Sequence, residues 1–139
     1  MAALERLLET VAEHTLLLDR LRGRWNPGDI VVVYAVLHAL QVHAQATLDY
    51  IMHVCALLGY SEPTPIRCSR RLSREGLLGG EEAELIARMA RFRNIIVHEY
   101  GSIDLSRVEH ILRSRGYRSV LPVLEKLHRT LEERGLTDP

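Results

Sequence analysis

Glycine and proline punctuate this chain in three clusters, Gly23 to Gly28, Gly59 to Pro65 and Gly76 to Gly80, with a fourth break at Gly101. Between the breaks lie long segments whose apolar residues recur at three- and four-residue steps, the period of a helix. Nothing alternates as a sheet does beyond residues 30–34. The pattern therefore predicts an all-α fold, an up-and-down bundle of four long helices with short additional helices.

The first segment puts Leu4, Leu7, Leu8, Val11, Leu18 and Leu21 on one stripe and is expected to end near Arg22, with Gly23 as terminator. The second follows Asn26-Pro27-Gly28-Asp29, where Asn26 is the expected cap and Pro27 the first helical residue, and runs from about Asp29 to Leu58. Its opening Ile30-Val31-Val32-Val33 prefers strand locally, but no turn signal separates it from the helical pattern of Tyr34–Leu58. A short helix is expected near Ile66–Glu75. A third main helix starts around Gly80, with Glu81, Glu82 and Glu84 favouring the positive end of its dipole, and reaches Tyr100. Asp104 then caps a fourth helix to about Arg115. A fifth runs from Ser119 to Arg134 with Pro122 in its first turn.

At 139 residues the chain is expected to form one domain over 1–139, large enough to hide roughly two-thirds of its unfolded surface. Lys plus Arg and Asp plus Glu both number 18, so binding to nucleic acid through global positive charge is excluded, while a local basic patch is not. Cys55 and Cys68 are too few for a disulfide scaffold and lack metal or redox spacing, so they are read as small buried groups in a reducing, intracellular protein. The start, Met1-Ala2-Ala3-Leu4-Glu5-Arg6, meets an acid at once and does not read as a signal peptide. No run of about 18 uncharged apolar residues is found, so a membrane span is not expected and the location is read as cytoplasmic.

Chemistry concentrates in Arg91-Phe92-Arg93-Asn94-Ile95-Ile96-Val97-His98-Glu99-Tyr100. A helix here ends in guanidinium, amide, imidazole and phenol. Asn94 and His98, four apart, share a face; Arg93, Val97 and Tyr100 share a neighbouring one. Arg93 and His98 stand about 140° apart around the helix, so one copy does not aim both at one atom. A two-fold dimer would gather two such sets in one cleft. Histidine gives and takes protons near pH 7, and arginine clamps phosphate oxygens. Together they suffice for metal-free RNA cleavage, with Asn94 orienting the imidazole or the phosphate. The plainer reading of an Arg and a His near a helix end is dipole compensation or solvation.

Arg93-Asn94-Ile95-Ile96-Val97-His98-Glu99-Tyr100 resembles the Arg-x4–6-His signature of the HEPN superfamily, and more narrowly the Arg-Asn-x-x-Val-His-x-Tyr form of HepT-like toxins. Gln45, Asp49 and His53, at four-residue steps, are similar to a helix-two pattern of these proteins, and Arg71-Leu72 through Gly76-Leu77-Leu78 to the connector before the signature helix. The resemblance implies a homodimeric four-helix HEPN bundle and an RNA-targeting toxin; from the Arg and His chemistry, neither metal nor other cofactor is expected. It also implies a toxin–antitoxin partner, a minimal nucleotidyltransferase that adenylylates the motif tyrosine from ATP. Carried over, Arg93 and His98 are the catalytic pair, Asn94 a supporting group and Tyr100 the AMP acceptor. An AMP on Tyr100 would set a bulky anion beside the cleft, competing with RNA phosphate. Gln45 departs from the pattern, where glutamate is frequent, and a neutral amide cannot act as a base. Asp49 remains to support Arg93 or His98, or is simply a solvated carboxylate. The alternative function is a non-catalytic HEPN partner that binds a nucleotidyltransferase and helps position its nucleotide or substrate.

Arg67, Arg70, Arg71 and Arg74 make a basic stripe on the short helix, either a solvated face or a track for an RNA backbone. The other six histidines, His14, His38, His43, His53, His110 and His128, nowhere stand three or four apart, so no two-His metal face is expected. Trp25 reads as a helix staple rather than a stacking platform.

Overall fold

The computed structural model describes residues 3–98 and 101–136, with His98 described in its backbone only. The fold is all-helical: α1 (Ala3–Arg22), α2 (Ile30–Leu57), α3 (Pro65–Arg74), α4 (Gly80–His98), α5 (Leu105–Ser114), a 3-10 turn at Gly116–Ser119, and α6 (Val120–Glu133). The expected elements are all present, and most bounds agree to within two residues.

The start of α2 differs from expectation. Asp29, not Asn26, caps it, and the Asp29 carboxylate accepts from the Val31 and Val32 N–H groups. The Asn26 side chain instead accepts from Gly28 N at 2.9 Å, closing the turn that carries Pro27, so Pro27 stays outside the helix. The β-branched Ile30–Val33 run is helical because burial overrides local preference: Val33 and Val36 pack into the core while Ile30 and Val31 stay exposed.

α2 is the central helix, packed against α1, α3, α4 and α6. Over its 28 residues Asp49 is the sole Asp, Glu, Lys or Arg. By length and composition it could cross a membrane, which corrects the expectation that no such segment exists; half of the apolar window is buried inside the fold. An all-round apolar helix is what a bundle centre requires.

Two apolar clusters lie along α2. Its later part, with Leu48, Tyr50, Ile51 and Val54, meets Leu4, Leu72, Ile86 and Leu124. Its earlier part, with Val33, Val36, Leu37 and Leu40, meets Leu18, Ile96, Val108, Leu112 and Tyr117. Ile86 falls in the first cluster and Ile96 in the second, so α4 runs antiparallel to α2 and its C-terminal end packs at the second. Trp25 also packs there, as a staple would, with its indole N–H buried and without a partner.

Cys55 and Cys68 are buried as expected, but they are not free thiols. A disulfide joins them, tying the end of α2 to α3 with Cα atoms 6.3 Å apart. The two stand thirteen positions apart in sequence, and the bond forms because the loop folds α3 back onto α2. The inference of a reducing compartment from cysteine number therefore loses its footing.

Candidate functional site

The motif occupies the last turns of α4. Ile96 is fully buried in the second cluster and pins the helix end, which leaves the opposite face to solvent: Asn94 and Val97 are exposed there. Arg93 lies between the two faces, half-buried. Its Nε is closed off from solvent and has no hydrogen-bond partner, and among the described residues no carboxylate pairs with the guanidinium. A buried donor on a permanent cation is costly to leave unmet, so the position is poised for an anionic oxygen. His98 closes the helix; its side chain, and Tyr100 altogether, lie outside the described residues.

Two of the helix-two residues, Gln45 and Asp49, bond to each other. Gln45 donates to Asp49 Oδ1 at 2.8 Å on the exposed side of α2. Asp49 is thus engaged by the amide that replaces the expected acid.

The arginine stripe lies at the other end of α4. Arg67, Arg71 and Arg74 approach the Glu62 carboxylate at 3.7, 3.5 and 3.9 Å, and Arg71 also pairs with Glu75 at 3.1 Å. Arg71 further stacks over the Tyr60 ring at 4.1 Å. Only Arg70 of the four has no ion pair among the described residues. At 1.5 Å per residue, Arg93 is about 20 Å along α4 from Gly80, next to which α3 packs. The structure does not bring the stripe and the motif together.

Exposed apolar side chains gather at the motif end instead. Leu16 and Leu17 near the end of α1, Ile30, Val31 and Tyr34 at the start of α2, and Val97 at the end of α4 are the exposed large hydrophobics among the described residues. Clustered exposed apolar groups at one end of a bundle mark an interaction surface.

Sequence reasoning weighed His43 only as a metal ligand and passed over Tyr117. His43 is 2% exposed. Burial, helped by repulsion from His14 and opposed by a hydrogen bond with the Tyr117 backbone, pushes its pKa down to about 4. The ring is neutral at pH 7, and its Nε2 is buried without a partner. The Tyr117 hydroxyl donates to Asp19 Oδ1 at 2.5 Å, and Arg118 pairs with Asp19 Oδ2 at 3.3 Å. Burial and the Asp19 charge hold the Tyr117 phenol up at about 12. These contacts lock the 3-10 turn onto α1. Neither residue carries a local sequence signal, because both environments are made by segments some 70 to 100 residues away.

The family model described as Ribonuclease HepT-like matches residues 2–131. The chain belongs to the HepT-like family. Among curated proteins it is 29% identical over 108 residues to one of Archaeoglobus fulgidus named "Putative RNase", covering 78% of this chain and 74% of that one. Among solved structures it resembles the tri-AMPylated HEPN toxin of Shewanella oneidensis in complex with MNT antitoxin, with a TM-score of 0.79, 17% identity and coverage of 90% of this chain and 98% of the other. It also resembles a mutant of the toxin–antitoxin MntA-HpeT, with a TM-score of 0.77, 17% identity and coverage of 88% and 98%. At that identity the structures establish a shared fold, so the HepT-like chain has the HEPN toxin fold.

Proposed function

We propose that this HepT-like protein is the toxin of a toxin–antitoxin pair, a metal-independent RNA endonuclease working as a homodimer and silenced by nucleotidyl transfer to Tyr100. The observation that carries the reading is the Arg93 guanidinium, held half-buried at the end of α4 with its Nε unmet and no carboxylate paired with it among the described residues. That is a cation prepared for phosphate rather than one spent on a structural pair. The exposed Val31, Tyr34 and Val97 at the same end supply an apolar surface for a second copy.

In the dimer, Arg93 of one copy and His98 of the other serve one cleft, since about 140° separates them on a single helix. His98 takes the proton of a ribose 2′-hydroxyl, whose oxygen attacks the adjacent phosphorus. The phosphorus–O5′ bond breaks, a second protonated group gives its proton to O5′, and a 2′,3′-cyclic phosphate remains. Arg93 holds the phosphate oxygens as their charge grows, and Asn94 orients the phosphate or the imidazole. The arginine stripe supplies at most a remote backbone contact, through Arg70, because Glu62 and Glu75 occupy Arg67, Arg71 and Arg74.

A minimal nucleotidyltransferase is the proposed antitoxin. The Tyr100 oxygen attacks the α-phosphorus of ATP, pyrophosphate leaves and the phenol proton passes to solvent. The attached AMP then competes with RNA for Arg93. Persistence of silencing by covalent modification in Tyr100→Phe would overturn this step.

The alternative, a non-catalytic HEPN partner that positions a nucleotidyltransferase's nucleotide or substrate, draws support from the Gln45 amide that engages Asp49. Incubation of the purified chain with RNA in EDTA separates the two. Products ending in 2′,3′-cyclic phosphate, reduced about 100-fold or more by Arg93→Ala and His98→Ala, support the nuclease. Intact RNA at high protein excess supports the partner.

A further inference from the structure

A cleft of about 620 Å³ opens on the side of α4 away from Asn94 and Val97, bounded by α2, α5 and the 3-10 turn. This is the size of a small-molecule site. Leu40, Ala44, Met89, Phe92 and Ile111 make its walls apolar, and His43 and Tyr117 lie at its base. Arg88, Arg91, Arg107 and His110 stand at its edge. Arg91 pairs with Glu84 at 3.2 Å, and Arg107 lies over the Phe92 ring at 6.0 Å with Asp104 nearby. Arg88 has no carboxylate partner among the described residues.

Three features narrow the occupant. Apolar walls with an aromatic ring suit a flat body more than a hydrated one. The His43 Nε2, buried and unpartnered beneath the floor, is expensive to leave so and calls for one directional polar contact. Exposed guanidinium groups at the mouth call for an anion. An alkyl acid matches the apolar walls and the third feature but is not flat and lacks the second; inorganic phosphate satisfies only the third. A heterocycle with donors and acceptors along its edge and a phosphate attached satisfies all three, whichever tautomer His43 adopts.

We propose that this cleft binds one nucleotide, its base on Phe92 with an edge reaching His43 Nε2 and its phosphate between Arg88 and Arg107. A tilt of the imidazole about its broad terminal torsion presents Nε2 to the base. The inference rests on the RNA-directed reading for its choice of a nucleobase among flat heterocycles. A free mononucleotide and a nucleotide of a bound RNA share this chemistry. Arg88 and Arg91, three residues apart, continue along the α4 stripe that His98 occupies seven residues after Arg91, so a strand in the cleft would run toward the proposed cleavage centre.

The test is an NMR titration of the full chain with 5′-AMP, 5′-GMP, 5′-CMP and 5′-UMP, with adenosine, inorganic phosphate and hexauridylate alongside. Expected are saturable shifts of the His43, Phe92 and Tyr117 signals with at least one mononucleotide, and affinity at least tenfold weaker for adenosine and for phosphate. The surface double variant Arg88→Gln/Arg107→Gln, which leaves the core untouched, should weaken nucleotide binding at least tenfold, as should His43→Gln read at Phe92. The same shifts with hexauridylate assign the site to RNA; shifts with mononucleotides alone assign it to a soluble nucleotide. The inference is overturned if no mononucleotide moves these signals, if phosphate alone binds as tightly, or if the double variant binds unchanged. RNA cleavage without these shifts overturns this inference only; shifts without any cleavage leave it standing and overturn the nuclease reading.

Discussion

His43 offers a prediction whose size follows from its surroundings. In the unfolded chain its pKa is near the ordinary 6.5; in the fold it is about 4, first because burial strips water from the charged form, then because His14 lies near. Between these values the unfolded chain takes up a proton that the fold refuses, so unfolding gains as pH falls. The slope is about 1.4 kcal/mol per pH unit for one proton. Stability is thus unaffected by His43 above pH 6.5, declines through the window, and levels off below about 4. Across the window the loss is about 3 kcal/mol, a large part of the reserve of a domain this size. Urea denaturation of the wild type and of His43→Gln at several values between pH 7.5 and pH 4 reads it. Carboxylates and exposed histidines titrate in both proteins, so the difference between them isolates His43. The variant's offset at pH 7.5 does not matter; the wild type should lose about 3 kcal/mol more than the variant on acidification. A difference that stays constant with pH, or a wild type that gains on the variant in acid, would refute the reasoning.

Four further outcomes follow from local features of the fold. Tyr117→Phe removes the hydroxyl that Asp19 accepts and should lower stability by about 2 kcal/mol in a urea melt, while Asp19→Asn should lower the pH at which the Tyr117 phenol ionises from about 12. Reduction of the Cys55–Cys68 bond reopens a loop closed across thirteen positions and should cost about 3 kcal/mol, checked by melting the oxidised chain against a Cys55→Ser/Cys68→Ser variant with mass spectrometry confirming the bond. Tyr34→Asp, at a side chain 50% exposed, should leave the fold intact by circular dichroism and shift the chain to monomer in sedimentation, with loss of RNA cleavage.

Much of this fold is written locally. Asp104 caps α5 where the sequence places it, through the Ser106 N–H, and Pro65 stands in the first turn of α3 behind its Thr64 cap. Helical periodicity survives even the Ile30–Val33 run, because the apolar pattern continues without a break into residues that the core must bury. The misjudged features are those set by distant packing. Asn26 looks like a cap, yet Pro27-Gly28 turn the chain for three more residues before the helix starts. Cys55 and Cys68 have no motif spacing and meet only because α3 folds back onto α2. Glu62 neutralises arginines five, nine and twelve residues on, which turns an apparent basic track into an ion-pair cluster. At the site, the spacing of Arg93 and Asn94 was legible, but the unmet Arg93 Nε depends on which neighbours are absent. His43 is one histidine among seven until α5 and the 3-10 turn cover it.

Whether two copies of the α4 end build one cleft is tested most directly by mixing inactive subunits. Arg93→Ala and His98→Ala chains, each inactive alone and each dimeric, are combined, unfolded and refolded together, and assayed on RNA in EDTA. A mixed dimer holds one site with both groups intact, so random pairing should restore about a quarter of wild-type cleavage. A mixture as inactive as its parents, with mixed dimers present, would contradict a cleft shared between the two chains.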